Sequence, residues 1–223
     1  MSLDFDSFTL AAATADLSEE PYAREHADCV EFRMDLADDP LTALASYSGE
    51  LPLIVTNRVD SEGGEAAGDR RLDDLARAAE FDSVGALDIE LATLESGADE
   101  TAAHARDHET SVIVSAHDFE GTPGTERMYE ILEKANKNGD VGKLAVTAEE
   151  PGDVLALLSV TYELATEGKQ VATMAMGEAG KHSRAVAPVY GSRIGYAPVS
   201  SERATAPGQY DLALLSELVE RLR

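Results

Sequence analysis

Lys143 and His117 are the two residues of this chain best suited to do chemistry together. His117 closes the run Ser111-Val112-Ile113-Val114-Ser115-Ala116-His117, and Lys143 opens Lys143-Leu144-Ala145-Val146 about one strand–helix unit later. Short unbroken apolar runs such as 112–114 and 144–146 are the pattern of strands buried on both faces of a parallel sheet. An amine in such a run is costly when charged, so it is pushed toward its neutral, nucleophilic form. A histidine at the end of a nearby strand can shuttle protons beside it. The pair points to imine chemistry on a carbonyl compound. Plainer readings exist: a lone lysine in an apolar run often marks a strand edge, where its stem packs and its head reaches water, and a lone strand-end histidine is often structural. Of the five lysines, Lys134 and Lys137 lie on a polar helix, Lys169 in a turn and Lys181 in a Gly-rich loop. Only Lys143 is embedded in strand-like sequence.

The elements that must position the pair alternate along the chain. Strand candidates span 9–13, 29–34, 53–58, 84–89, 112–115, 143–146, 171–174 and 193–197, with helix candidates at 20–27, 41–47, 69–81, 98–108, 124–138, 154–166, 183–189 and 210–222. Val154, Leu155, Leu157, Leu158, Tyr162 and Ala165 supply the apolar stripe expected of a helix packed on a sheet. Strict βα alternation implies parallel strands with right-handed crossovers, and eight units predict a (β/α)₈ TIM barrel, read as one domain over 1–223. A doubly wound open sheet is the runner-up, but no Gly-x-Gly-x-x-Gly turn follows the first strand. In a barrel the active site lies at the C-terminal strand ends. There the polar residues collect: Glu31 and Arg33, Arg58, Asp88 and Glu90, His117 and Lys143, followed by Met174 and Met176.

Composition narrows the function classes. Forty-three acidic residues against 18 basic give a net charge of −25, which makes nucleic acid and anionic membrane poor partners. The acids are spread over helix-like segments such as 69–82 and 99–109, which suggests a solvated acidic shell on a folded protein. With few lysines and many small residues, the composition resembles that of proteins from salt-accumulating halophiles. Cys29 is the only cysteine, which fits a reducing compartment. The start, Met1-Ser2-Leu3-Asp4-Phe5-Asp6, carries acids where a signal peptide has a basic region, and no apolar stretch approaches the ~20 residues that cross a bilayer. A soluble, cytoplasmic protein is expected.

Several short blocks occur in a telling order: Glu31-Phe32-Arg33-Met34-Asp35, Arg58 with Glu62-Gly63-Gly64-Glu65, Asp88-Ile89-Glu90-Leu91, Ser115-Ala116-His117-Asp118-Phe119, Lys143-Leu144-Ala145, Met174-Ala175-Met176-Gly177, Ser183-Arg184 and Ala206-Pro207-Gly208-Gln209. Taken in that order and spacing they resemble the type I 3-dehydroquinate dehydratases, the Schiff-base class of the shikimate pathway. Each block alone is weak, but the ordered set is specific. The resemblance implies dehydration of 3-dehydroquinate to 3-dehydroshikimate without metal or other cofactor. It implies that Lys143 forms the imine, that His117 moves protons, and that Glu62 orients His117. It further implies that Arg184 clamps the carboxylate with Gln209 and Thr205, and that Glu31, Arg33 and Arg58 bind ring hydroxyls. An arginine fork grips a carboxylate by two parallel hydrogen bonds, which lysine cannot reproduce. The family often forms dimers, so the resemblance makes a homodimer the expectation.

The chain departs from the family pattern in places. Thr205 stands where serine is common, and Tyr196 where phenylalanine is frequent. About eight residues precede the first strand, leaving little room for the hairpin that often plugs the barrel floor. His104 and His108, four apart on a helix, have a metal-ligand spacing, but the sequence offers no evident third ligand and a solvated face is expected. A class I aldolase shares barrel and lysine, although its phosphate site is matched only by Gly191-Ser192-Arg193. A non-catalytic barrel used as a binding scaffold would not need lysine, histidine and glutamate together.

Overall fold

Eight strands, β1 (Thr9–Thr14), β2 (Cys29–Arg33), β3 (Leu53–Thr56), β4 (Val84–Glu90), β5 (Ser111–Asp118), β6 (Val141–Thr147), β7 (Val171–Met176) and β8 (Ile194–Pro198), pair in parallel in a computed structural model. It describes residues 3–66, 68, 70–199 and 209–223; Thr205 lies outside them. The strand order is β7-β6-β5-β4-β3-β2-β1-β8. Across the remaining seam Arg193 N–H donates to the Val171 carbonyl at 2.7 Å and Thr173 N–H donates to Ser192 Oγ at 3.0 Å, so the sheet returns on itself. The expected (β/α)₈ barrel is the fold.

The helices are α1 (Glu20–Ala23), α2 (Pro40–Ser46), α3 (Arg70–Ala78), α4 (Leu91–Glu95), α5 (Asp99–Asp107), α6 (Thr125–Asn138), α7 (Pro151–Thr166), α8 (Gly177–Gly180), α9 (Ser183–Val186) and α10 (Leu212–Leu222). Residues facing outward from the strands, such as Phe32, Val55, Leu87 and Val114, form the core beneath the helices. On α7 the buried stripe is Val154, Leu157, Leu158, Thr161 and Leu164. Leu155 and Tyr162, counted in the stripe from sequence, are 69% and 58% exposed. They stand seven apart and one position off the buried face, so an all-apolar run hid the true period.

The barrel interior is layered. Leu3 and Phe5 join Ala11, Cys29, Ile54, Ala86, Ile113, Val141, Ala172 and Ile194 in an apolar floor. The Leu3 carbonyl accepts from Ser111 Oγ at 2.9 Å at the start of β5, so the short leading segment itself plugs the N-terminal face. Because side chains alternate, the inward positions two residues further along β2, β4, β5 and β6 are Glu31, Asp88, Ser115 and Lys143. The fold thus stacks a polar layer on an apolar one and opens toward the C-terminal strand ends. No helix among the described residues is long and apolar enough to cross a membrane.

A net charge of −25 opposes compaction at low ionic strength. The Debye length falls from about 10 Å at 0.1 M salt to about 3 Å at 1 M, so thermal melts across a salt series should rise steeply. A midpoint unchanged or lower in molar salt would contradict this electrostatic account.

Candidate active site

Lys143 stands in the middle of β6, not at the start of a strand, and its neighbours in the ladder are Ser115 and Ala172. His117 lies one inward layer higher, opposite Ala145, because β5 continues to Asp118. The amine therefore rises from the barrel floor and the imidazole covers it from the rim. Lys143 Nζ is 2.8 Å from Asp88 Oδ2, 3.9 Å from Glu31 Oε1 and 4.1 Å from the centroid of the Tyr196 ring. Leu144 and Val146 of the apolar run around Lys143 face outward beneath the helices. On its own side the amine meets a carboxylate and an aromatic face.

Asp88 is the hub of this layer. Its Oδ1 accepts from Arg58 Nη2 at 2.7 Å and from Ser115 Oγ at 2.6 Å, while its Oδ2 accepts from Lys143. Ser115 Oγ in turn accepts from Arg58 Nη1 at 2.7 Å. Burial raises the Asp88 pKa, but the Arg58 and Lys143 charges overcome it and hold the carboxyl well below its usual range. Arg58 also reaches Glu90 at 3.1 Å, and Arg71 grips the other oxygen of Glu90 at 3.0 Å. Every one of these buried charges thus has a partner, as low-dielectric burial demands.

His117 Nδ1 lies 2.9 Å from Glu62 Oε2, and the His117 backbone N–H donates to the same oxygen at 3.1 Å. With Nδ1–H donated to Glu62, Nε2 is left with a lone pair; this tautomer follows from the hydrogen bond. Glu62 ends the 3₁₀ turn Asp60–Glu62 after β3, and Gly63 takes φ 79. A Cβ on Gly64 would stand 2.0 Å from the Arg58 carbonyl oxygen, so only glycine lets the turn fold back over β3. The Gly63-Gly64 pair is therefore what brings Glu62 to the histidine.

Burial, together with the Arg58 and Lys143 charges, pushes the His117 pKa well below its ordinary value, so the ring is neutral near pH 7. Burial pushes Glu62 up to about 7 against an opposing pull from Arg58, with Glu90 and Asp88 adding to the rise. Ionising Glu62 thus costs more folded than unfolded. The stabilising contribution is complete below the ordinary value of 4.5 and lost as pH rises through about 7. Glu62→Gln, which cannot ionise, should melt above wild type at about pH 8, with the gap closing toward pH 5. Equal melting points at both pH values would contradict the raised pKa.

One cavity is lined by Glu31, Arg33, Arg58, Glu62, His117, Lys143, Arg184 and Gln209, with Met174, Met176 and Tyr196 as further wall. The cavity therefore brings together the described catalytic and substrate-binding candidates, while Asp88 and Glu90 are not among its lining residues and act as partners of Lys143, Arg58 and Arg71. Two arginines are already engaged: Arg33 forms a two-point pair with Asp35 at 2.9 and 2.6 Å, and Arg58 is held as above. Arg184 differs. It is buried on α9, its Nε has no hydrogen-bond partner, and no carboxylate pairs with it among the described residues. Burial pulls its pKa down to about 10. An arginine whose charge is buried and unmatched is poised to receive an anion.

Sequence reasoning missed Arg71 and Ser115, and it assigned Tyr196 no role. Arg71 had a signal: Arg70 and Arg71 open α3, where the helix dipole disfavours cations. Its reach to Glu90, Asn57 O and Thr93 explains that placement. Phe119, 47% exposed, stacks on His117 at 6.3 Å between centroids and covers Gly63.

A family model for type I 3-dehydroquinase matches residues 7–222. The 3-dehydroquinate dehydratase of Haloarcula marismortui is 59% identical over 226 residues, covering 99% of both chains. That of Halobacterium salinarum is 52% identical over 226 residues, covering 99% of this chain and 100% of its own. Among solved structures, 3-dehydroquinate dehydratase from Geobacillus kaustophilus superposes with TM-score 0.87 at 27% identity, covering 97% of this chain and 91% of that one. A type I 3-dehydroquinate dehydratase from Clostridium difficile, described with covalently modified comenic acid, gives TM-score 0.88 at 26% identity, covering 97% and 92%.

Proposed function

The chain belongs to the type I 3-dehydroquinase family, and we propose that it dehydrates 3-dehydroquinate to 3-dehydroshikimate through an imine on Lys143, the third step of the shikimate pathway. The observation that carries the mechanism is the grouping of Lys143, His117 and Glu62 around one cavity, with Arg184 on its wall and no carboxylate paired with it among the described residues. His117 takes a proton from the Lys143 ammonium, the freed amine adds to the ring ketone, and the imidazolium returns that proton to the new hydroxyl, so that water leaves and an iminium ion remains. That positive nitrogen draws electrons from the neighbouring carbon–hydrogen bond. His117 Nε2 takes the proton and leaves an enamine. The enamine pushes out the hydroxyl on the next carbon, and the imidazolium returns its proton so that water departs. A second water hydrolyses the iminium and frees Lys143. Each proton transfer by a positioned imidazole contributes about 10²–10⁴-fold.

The charge pattern supports these roles. Asp88, locked by Arg58 and Ser115, stands beside the nitrogen that becomes an iminium ion and can stabilise it. Glu62 fixes the His117 ring and, with a pKa near 7, stabilises the imidazolium while it forms. Glu31, with Oε1 held by Thr56 at 2.9 Å, Arg33 and Arg58 contribute polar edges for the ring hydroxyls. Arg184, with Gln209 and Thr205, receives the substrate carboxylate. Arg184→Lys keeps a charge but loses the fork, so substrate binding read by calorimetry should weaken by roughly 1.5–3 kcal/mol, the worth of a charged hydrogen bond. Unchanged affinity would mean that another group holds the carboxylate.

Association into a homodimer belongs to the same proposal. Leu155 and Tyr162 on α7, with Val189 and Tyr190 in the turn packed beside it, expose large apolar side chains that a second copy would cover. Light scattering in molar salt reads the subunit number directly, and a monomer would remove this part.

A further inference from the structure

His104 and His108 lack a third ligand only in the sequence; the fold supplies Glu80. We propose that Glu80, His104 and His108 form a surface site for one divalent transition-metal ion of the zinc, cobalt or nickel kind, on the barrel face opposite the active site. His104 lies in α5 and His108 is its C-cap residue, so one helical turn separates the rings. The ring centroids are 4.6 Å apart. Glu80 follows α3, and its Oε1 is 3.2 Å from His104 Nε2. One ligand atom from each residue lies within 4.8 Å of the other two. Tetrahedral zinc with bonds of ~2.0–2.1 Å needs donor atoms about 3.3 Å apart. The His104–Glu80 spacing already meets this, and His108, which is exposed, would turn its ring inward to supply the third donor.

The backbones beneath the site are tied together, so the three donors share one frame. α5 ends with Thr110 N–H donating to the Ala105 carbonyl at 3.0 Å and Glu109 N–H to the Arg106 carbonyl at 3.0 Å. Glu109 takes φ 58 there, the left-handed position of a Schellman ending, where glycine is usual. Thr110 Oγ1 then reaches the Ala79 carbonyl at 3.4 Å, next to Glu80. The chain leaves this region into β4 and β5, which begin at Val84 and Ser111, so the site sits at the N-terminal ends of the strands. That face governs stability rather than catalysis.

The donor set selects the ion. Two imidazoles with one carboxylate suit zinc, cobalt or nickel, whereas calcium and magnesium prefer oxygen alone. Asp82 and Glu109 line the cleft beside His108 and Glu80, adding negative charge around an incoming cation. On binding, His104 Nε2 must present its lone pair, so its proton moves to Nδ1 and the hydrogen bond to Glu80 gives way to two metal bonds. The ion would clamp the end of α3 to the end of α5.

The test is titration of Zn²⁺, by calorimetry, and of Co²⁺, by its visible absorption, into the full chain in molar potassium chloride. One saturable ion per chain is expected, with a rise in melting temperature on metal addition. His104→Gln and His108→Gln should each weaken binding by at least ~10-fold and remove the thermal shift while turnover is unchanged. Glu80→Gln, which preserves the histidine pair, should also weaken it by about 10-fold. No saturable binding at sub-millimolar metal, or binding indifferent to the two histidine variants, would overturn the site. Wild-type affinity in Glu80→Gln would reduce it to a two-histidine chelate and overturn the three-ligand proposal.

Discussion

Lys143→Ala is expected to bring turnover down to background and to abolish any adduct trapped by borohydride in the presence of 3-dehydroquinate. Of the five lysines, only Lys143 lines the cavity. Lys134 pairs with Glu95 on the exposed surface, and Lys181 lies over the Tyr210 ring. Removing one partner of a buried ion pair usually costs about 3–5 kcal/mol when the other charge is orphaned. Here Asp88 keeps Arg58 and Ser115, so the variant should fold. Lys143→Met, which retains most of the volume, separates lost chemistry from lost packing. Measurable turnover in either folded variant would show that the amine is dispensable.

The second large effect belongs to His117. His117→Ala leaves Lys143 and its carboxylate in place, so a slow adduct should still form while elimination collapses. The loss in turnover should be at least the ~10²–10⁴-fold of general acid–base catalysis, since one imidazole serves several transfers. Single-turnover rates separate the two steps. Near-normal elimination without His117 would assign the proton to another group, and Glu62, with its pKa near 7, is the nearest alternative base.

The barrel was legible because its strands are buried on both faces and stand out as apolar runs between amphipathic helices. Their lengths were not. The run at 112–115 was read as a whole strand, yet β5 continues through His117 to Asp118 and β6 through Thr147. Ladder hydrogen bonds persist where side chains turn polar to face the cavity, so hydropathy stops before the strand does. The opposite error occurs at β3, read to 58 but ending at Thr56. There the Arg58 carbonyl leaves the ladder to accept from Ala66 N–H at 3.0 Å, which turns the chain toward Glu62. The helix read at 20–27 ends as α1 at Ala23, and α4 was not foreseen because Leu91 follows Glu90, the last residue of β4, with no turn residue between them.

Within the cavity, residue types were readable and their partners were not. His117, Lys143 and Arg184 announce themselves by type and by order in the chain. That Asp88 would join Lys143 to Arg58, that Arg71 would complete Glu90, and that Glu80 would meet two histidines depends on which segments the barrel makes adjacent. Such contacts span sequence separations that local patterns do not encode. The neutral lysine expected from an apolar run is the instructive case. Its neighbours in sequence are apolar, but its neighbours in space include a carboxylate at 2.8 Å.

The imine itself is tested most directly by borohydride reduction of the wild-type protein with 3-dehydroquinate in molar salt, followed by mass mapping of the modified peptide. The mechanism predicts one reduced adduct per chain, carried by Lys143 and absent without borohydride or without the dehydroquinate. Full turnover with no trapped species, or an adduct on Lys169 or Lys181 in place of Lys143, would contradict it.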